Sequence, residues 1–172
     1  MILFKRDWAK YPNAIVHTGT KNKSFLRYAY VLRKMGIENH TWPLALLQPE
    51  LQNVDPFSPD ITPEELAMVQ YECKWNPIYY FREIARFKGG GGGLPIPYEA
   101  NRANMALTWS FLNHIMFALI MIRQAGKSGS TDQIHNMVTN VSGSATSTLL
   151  YTKDAQLRKA NIERIKEIRD LM

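Results

Sequence analysis

The sequence predicts an α/β fold in which an incomplete parallel sheet follows an N-terminal helical subdomain. The prediction rests on the order of apolar runs in the second half of the chain. Residues 115–122 form an apolar run of strand length, and a helical pattern over residues 127–141 follows it. A second apolar run at residues 148–151 leads into a helical pattern over residues 153–172. This strand, helix, strand, helix order is typical of a parallel sheet with right-handed crossovers.

The turn after the first apolar run has the residue types of a nucleotide phosphate loop. Gly126 lets the backbone approach an anion closely, Lys127 can reach the outer phosphate oxygens, and Ser128 offers a hydroxyl to Mg²⁺. The N–H groups that open the following helix complete such an anion site. The leading glycine of the pattern G-x-x-x-x-G-K-[ST] is missing, because Met121 occupies its position. From these residues alone, a phosphate loop and a coincidental Gly-Lys-Ser helix start both remain open.

Composition favours one soluble domain, or slightly more than one. The chain has 172 residues, of which 45% are hydrophobic, so it can bury a sizeable core. Its one cysteine, Cys73, excludes a disulfide framework, fits a reducing compartment and is expected to pack as a small buried residue. The longest apolar run, residues 115–122, is far shorter than the ~20 residues that span a bilayer. The four histidines are scattered without metal-ligand spacing, so no metal site built by protein ligands alone is expected.

The net charge of +6 is concentrated at the N-terminal end. Residues 1–40 carry eight basic and two acidic side chains. A helix is predicted over residues 24–35, with Phe25, Ala29 and Leu32 on its apolar face and Gly36 ending it. The basic residues on its other sides predict contact with nucleic acid or with an acidic protein surface. A solvated face without a partner is the simpler alternative.

The remaining elements of the first half follow from local signals. Residues 1–21 are predicted to form an irregular arm anchored by Trp8 and Tyr11, and residues 41–59 a proline-rich covering segment. Thr62 and Glu65 form a capping box that begins a helix. Asn76-Pro77 begins a second helix, which is expected to continue to about Phe87 with an aromatic inner face.

Two further segments lead up to the predicted sheet. The five glycines at residues 89–93 are predicted to form a flexible loop, because glycine loses the most entropy on ordering. Nothing in their surroundings indicates a phosphate-binding role. Helical spacing returns at residues 97–113.

Several segments together resemble one protein family, the ATPase domain of the large terminase subunits of tailed bacteriophages. The resemblance covers roughly residues 40–172. Members of that family commonly carry a phosphate loop of the form Arg-Gln-x-Gly-Lys-[Ser/Thr], which lacks the leading glycine. The matching segments are Glu-Cys-Lys-Trp-Asn-Pro at 72–77, Tyr-Tyr-Phe-Arg-Glu at 79–83, Asn-Arg-Ala-Asn at 101–104, Arg-Gln-Ala-Gly-Lys-Ser at 123–128 and Leu-Leu-Tyr-Thr-Lys-Asp at 149–154.

The resemblance implies a site for ATP and Mg²⁺. Lys127 and Ser128 would bind the phosphates, and Ser128 would also contact the metal. Arg123 would lie beside the γ-phosphate, with pairing to an acidic neighbour as the alternative. Asn104 stands where the family often has an adenine-reading glutamine. The implied catalytic residues are Arg123 and Lys127, and the implied binding residues are Gln124, Ala125, Gly126, Lys127, Ser128, Gly129 and Asn104.

The resemblance also implies an organisation and a set of partners. Residues 1–39 would be a basic arm and helix, residues 40–98 a helical covering subdomain, and residues 99–172 the first part of a P-loop ATPase core. The partners would be double-stranded viral DNA, the portal or procapsid, the small terminase subunit and the remainder of the terminase chain. The setting would be the cytoplasm of the infected bacterium, without a membrane contact.

Two parts of the family pattern do not follow Ser128 in this sequence. No apolar strand ending in Asp-Glu, the Walker B element that hydrolysis requires, is present, and neither is the nuclease domain. The expectation is therefore an N-terminal segment of a terminase, from truncation, a split gene or cloning, that binds nucleotide weakly and does not turn it over. The alternatives are a fragment of another P-loop motor, such as a helicase, and a non-catalytic fragment that contacts DNA or protein.

Overall fold

The computed structural model describes residues 5–89, 93–118, 120, 127–142 and 154–172. These residues form a mixed α/β structure that is mostly helical and has two small antiparallel sheets. The chain divides into two compact units, Met1–Ile84 and Ala85–Met172. The helices are α1 Lys5–Trp8, α2 Lys23–Lys34, α3 Pro63–Trp75, α4 Pro77–Tyr79, α5 Arg102–Leu112, α6 Lys127–Asn136 and α7 Ala155–Arg169, and the strands are β1 Ile15–Val16, β2 Ala45–Leu46, β3 Arg86–Phe87 and β4 Ile96–Pro97. Within the described ranges, every helix is too short or too polar to cross a membrane.

The N-terminal arm is held against the covering segment in the first unit. Strands β1 and β2 pair antiparallel. Trp8 and Tyr11 pack against the buried side chains of Ala45 and Leu47, so their predicted role as anchors is confirmed. The covering segment combines β2 with two short 3₁₀ turns at Trp42–Leu44 and Pro49–Asn53.

Helix α2 lies within one residue of its predicted range and buries part of its predicted apolar face. Asn22 caps it, since its side-chain oxygen accepts a hydrogen bond from the backbone N–H of Ser24. Phe25 and Ala29 are buried as expected. Gly36 has a φ of 74°, the left-handed conformation that glycine adopts at a helix end.

Helices α3 and α4 begin at the predicted residues, but the second helical segment ends early. The Thr62–Glu65 capping box is present in both directions. After α4 the chain forms a π-helical turn, Tyr80–Ile84, so the expected continuation of the helix to Phe87 is wrong. Phe87 instead pairs with Ile96 across the β3–β4 ladder. A pairing partner in a later segment therefore overrides the local helical spacing.

The second unit begins with the β3–β4 hairpin, whose connection contains the glycine run; residues 90–92 lie outside the described part. Helix α5 starts at Arg102 rather than near Pro97, because Pro97 pairs with Arg86 in the sheet and Asn101 provides the cap. The described part of α6 begins at Lys127 and continues into a π-helical turn, Met137–Val141, so the predicted helical conformation of these residues is confirmed.

The predicted central strand is not formed by the residues that the structure describes. Residues 115–118 and 120 adopt no strand conformation, and Met116 and Ile120 are almost fully exposed. The second predicted strand, at residues 148–151, lies outside the described residues. An apolar run becomes a buried parallel strand only where neighbouring elements cover both of its faces. The described residues supply no such cover, so the structure does not show the parallel sheet.

Candidate functional site

A cavity of about 410 Å³ lies in the second unit. Three elements contribute to its wall: the β3–β4 hairpin, the start of α5 and the first turn of α6. Its volume falls in the range of about 300–1,000 Å³ that is typical of small-molecule sites. The lining residues are Phe87, Ile96, Pro97, Tyr98, Glu99, Asn101, Ala103, Asn104, Gly129 and Ser130.

One wall of the cavity is apolar and partly aromatic. The rings of Phe87 and Tyr98 are tilted by 35° with their centroids 6.1 Å apart. The Phe87 ring also lies against Gly129, where an added Cβ atom would come within 3.0 Å of the ring. Glycine at position 129 therefore lets the first turn of α6 approach the aromatic wall closely.

The Tyr98 hydroxyl connects the helices on either side of the cavity. It donates a hydrogen bond to the Ser130 hydroxyl of α6 at 3.2 Å and lies 3.5 Å from the Thr108 hydroxyl of α5. Burial of the phenol raises the pKa of Tyr98, so the group stays protonated and keeps its donor. The side chain thus fixes the α6 turn relative to α5.

Asn104 lines the cavity, and its buried side-chain oxygen has no hydrogen-bond partner among the described residues. The Asn101 side chain caps α5 by accepting a hydrogen bond from the Asn104 backbone N–H at 2.8 Å. The Asn104 side chain is 6% exposed, and its Oδ1 atom has no hydrogen-bond partner among the described residues. A buried acceptor without a partner costs about 1–3 kcal/mol.

The structure describes only part of the predicted phosphate-binding set. Arg123, Gln124, Ala125 and Gly126 lie outside the described residues. Lys127 is the first residue of α6, and Ser128 is exposed in its first turn. Gly129 and Asn104 both line the cavity. Gly129 and Ser130 are the α6 residues that line the cavity.

No cluster of metal-ligating side chains accompanies this cavity. Across the described ranges, no three His, Cys, Asp or Glu side chains are grouped closely enough to hold a metal ion. The one hydroxyl that the sequence assigns to Mg²⁺, that of Ser128, is exposed at the start of α6. Ligands for a metal at this end would therefore have to include oxygen atoms of a bound phosphate compound or of water.

The first unit contains a second buried polar region, the Arg82 cluster, formed by His17, Glu72, Asn76, Arg82 and Glu83. Arg82 is completely buried. Its guanidinium donates to the Glu83 carboxylate at 2.7 Å, to the Pro43 carbonyl at 2.7 Å and to the Ala45 carbonyl at 3.2 Å. These bonds join the π-helical turn to the covering segment.

His17 and Glu83 complete one side of this cluster. His17 Nε2 lies 3.1 Å from the Gln52 carbonyl and donates to it. His17 Nδ1 lies 3.2 Å from Arg82 Nη2 and 3.3 Å from Glu83 Oε1, so it accepts from Arg82 when neutral and donates to Glu83 when protonated. Burial raises the pKa of Glu83, but the hydrogen bond to His17 and the Arg82 charge outweigh it and lower that pKa to about 2. The carboxylate is therefore ionised inside the unit.

Glu72 and Asn76 complete the other side. The Glu72 carboxylate accepts hydrogen bonds from the backbone N–H groups of Leu47 and Gln48 and from the Asn76 amide. The Asn76 amide nitrogen also donates to the Ala45 carbonyl at 2.9 Å. Burial raises the pKa of Glu72, although these hydrogen bonds oppose the effect. The Glu72 and Asn76 side chains therefore hold the covering segment in place through its backbone groups.

Helix α2 presents an exposed basic face. Lys23, Arg27, Arg33 and Lys34 are exposed, and none of them forms an ion pair with another described residue. Lys34 Nζ lies 5.4 Å from the centroid of the exposed Tyr30 ring. This face has the charge needed to contact an anionic partner.

Two residues of the predicted ATP-binding set, Asn104 and Gly129, line the cavity, but the sequence did not predict most of its wall. Phe87 was assigned to a helix, and Tyr98, Glu99 and Ser130 were given no role. A weak signal was available, since Asn101 and Asn104 have the spacing of a helix cap and Tyr98-Glu99 lies directly before it. The pairing of β3 with β4 has no comparable local signal.

Comparisons of this chain with protein-family models, with curated proteins and with solved structures found no match.

Proposed function

We propose that this chain is the N-terminal segment of a phage large terminase subunit and that its second unit binds Mg²⁺-ATP. The observation that supports the proposal is the cavity, whose wall combines Asn104 with Gly129 and Ser130 of α6. A nucleotide has the two matching ends, a base with N–H donors and an anionic phosphate chain. The residues that the structure describes at the cavity therefore fit the ligand that the sequence motif predicts.

The base end is matched by Asn104 and by the apolar wall. An asparagine amide can accept a hydrogen bond from the adenine N6 amino group and donate one to N7. The flat ring of Phe87 suits contact with a planar base, and the aliphatic side chain of Ile96 adds apolar surface to the same wall.

The phosphate end is matched by α6 and the loop before it. Lys127 and Ser128 would hold the phosphates and Mg²⁺, and Arg123 would contact the γ-phosphate. ATP supplies the phosphoryl-transfer energy that drives viral DNA into the procapsid, with the portal and small terminase subunit as partners. Without a Walker B carboxylate, this segment binds ATP but does not hydrolyse it.

The test is calorimetric titration of Mg²⁺-ATP into the wild-type chain, Lys127→Ala and Lys159→Ala. Lys159 is an exposed lysine of α7 and controls for the loss of one positive charge. The proposal expects saturable binding by the wild type and by Lys159→Ala, and loss of most affinity in Lys127→Ala. Equal affinity in all three proteins, or no binding by any of them, would contradict it.

A second candidate function, attachment to an anionic partner, is favoured by the basic face of α2. If this face binds DNA, neutralising Z phosphates gives a salt dependence with a slope of about −0.9Z. Replacing Lys23, Arg27 and Lys34 together with Gln should then lower DNA affinity and flatten that slope in a fluorescence anisotropy titration. Lys127→Ala should leave DNA binding unchanged, and a loss of DNA binding in that variant would count against this candidate.

A further inference from the structure

We infer that the basic face of α2 binds a second copy of this chain, on the acidic segment at residues 50–64. This segment leads into α3 and forms its first residues. The basic face and the acidic segment both belong to the first unit. The inference therefore concerns contact between two copies of that unit and does not depend on the proposed nucleotide site.

Charge is sharply divided along the first unit. Residues 1–35 carry eight Lys or Arg side chains and one acidic side chain, whereas residues 36–73 carry seven acidic side chains and neither Lys nor Arg. Some of these acids act inside the unit, since Asp55 pairs with Lys21 and Glu65 closes the capping box of α3. The acids of the acidic segment that are exposed, and whose carboxylates have no ion pair or hydrogen bond among the described residues, are Glu50, Asp60 and Glu64.

Exposed apolar side chains accompany the charges on both surfaces. On α2, Tyr30, Val31 and Met35 are 56%, 42% and 58% exposed. At the acidic segment and just after it, Phe57 and Leu66 are 41% and 43% exposed. Apolar side chains that are exposed among charged ones are typical of protein–protein contact surfaces.

These apolar side chains favour a protein partner over DNA. The backbone of a DNA duplex offers phosphates to the α2 cations, but it offers no apolar surface to Val31 and Met35. A partner with carboxylates beside apolar side chains matches both, and the acidic segment of this chain has that composition. Within one copy, the four cations of the basic face form no ion pair with the acids of this segment among the described residues. A second copy would neutralise both sets of charges and cover apolar side chains on both sides.

The experiment measures self-association of the full chain by sedimentation velocity over a range of protein concentrations. The basic-face variant carries Lys23→Gln, Arg27→Gln and Lys34→Gln. The acidic-segment variant carries Asp60→Asn and Glu64→Gln. The control carries Arg158→Gln and Lys159→Gln, which remove two exposed cations of α7.

We expect the wild type and the control to self-associate, and each of the two surface variants to do so at least about tenfold more weakly. Raising the salt concentration from about 0.1 M to about 1 M should weaken the wild-type association, because the Debye length falls from ~10 Å to ~3 Å. Self-association of the basic-face variant with wild-type affinity would overturn the inference.

Mixing the two surface variants gives the most specific test. Each variant keeps the surface that the other lacks, so the mixture should form a 1:1 complex that neither variant forms alone. Such a complex would also show that both variants are folded. A mixture that does not associate, or a wild type that stays monomeric up to about 1 mM, would overturn the inference. A monomeric wild type whose basic face binds duplex DNA would assign this face to DNA instead.

Discussion

Both units bury an asparagine whose Oδ1 atom has no hydrogen-bond partner among the described residues, yet the two side chains are held differently. In the first unit, the Asn76 nitrogen donates to the Ala45 carbonyl and to the Glu72 carboxylate. In the second unit, Asn104 lines a cavity with a helix N-terminus on its wall. The comparison shows that the Asn76 side chain is held by protein groups, whereas no such bonds hold the Asn104 side chain among the described residues.

The largest expected change in stability follows from removing the Arg82 charge inside the first unit. Arg82→Met leaves the Glu83 carboxylate buried without its cation, so we expect the free energy of unfolding to fall by about 3–5 kcal/mol. Lys21→Met is the matched control, because the Lys21–Asp55 ion pair is exposed and should contribute under about 1 kcal/mol.

These two variants are best compared by urea unfolding in a Trp109→Phe background. The remaining tryptophans, Trp8, Trp42 and Trp75, all belong to the first unit and report its unfolding by fluorescence. An Arg82→Met protein no less stable than Lys21→Met would show that the Arg82 cluster does not hold the unit together.

The next largest effect is a pH dependence of the first unit. The folded pKa of Glu83, about 2, lies below its ordinary value of 4.5. The stability that Glu83 contributes is therefore present above pH 4.5 and is lost as the pH falls toward 2, to a total of about 3 kcal/mol. Glu83→Gln should flatten the dependence of unfolding free energy on pH over this range. Glu72, whose raised pKa acts in the opposite direction, is present in both proteins, so equal slopes would contradict the assignment to Glu83.

The two asparagines provide the sharpest matched pair. Asn76→Ala removes donors from Glu72 and Ala45 and should lower the stability of α3 by about 1–3 kcal/mol, whereas Asn104→Ala should cost under about 1 kcal/mol in α5. ATP binding should respond in the reverse order, with about tenfold weaker binding in Asn104→Ala and no change in Asn76→Ala. Hydrogen exchange of the α3 and α5 amides and calorimetry measure the two effects. Similar responses of the two variants in both measurements would show that Asn76 and Asn104 do not differ in role.

The smallest expected effect is at the Tyr98 hydroxyl. Tyr98→Phe deprives Ser130 and Thr108 of a partner. The free energy of local opening of α6 should therefore fall by about 0.5–1.5 kcal/mol, and its amides should exchange faster. Tyr71→Phe, at an exposed tyrosine of α3, should change stability by no more than about 0.5 kcal/mol. Unchanged exchange in Tyr98→Phe would mean that this hydroxyl does not fix the α6 turn.

Local chemistry made part of this structure predictable from sequence. The Thr62–Glu65 capping box and the glycine that ends α2 each depend on residues within a few positions of one another. The burial of Cys73 also followed from its isolation in the sequence. Such signals do not depend on where the rest of the chain lies.

Contacts between distant residues explain what sequence could not provide. Phe87 follows helical spacing but pairs with Ile96, across a glycine run that carries no pairing signal. The cavity needs residues 87–104 and residues 129–130 on one wall, and only the folded chain brings them together. The apolar run at residues 115–122 predicts a strand, but its described residues lack the covering neighbours that a buried strand requires. The resemblance singled out Asn104, whose ligand-binding role stays a prediction, whereas no local signal singled out Tyr98.

The most direct test of the nucleotide site is an NMR titration of the wild-type chain with Mg²⁺-ATP, following the Asn104 side-chain amide and the backbone amides of α6. The account predicts saturable shifts of the Asn104 amide and of the amides of Ser128, Gly129 and Ser130, with the α2 amides unchanged. Shifts confined to α2, or none at Asn104 at saturating ATP, would contradict the assignment of this cavity to a nucleotide.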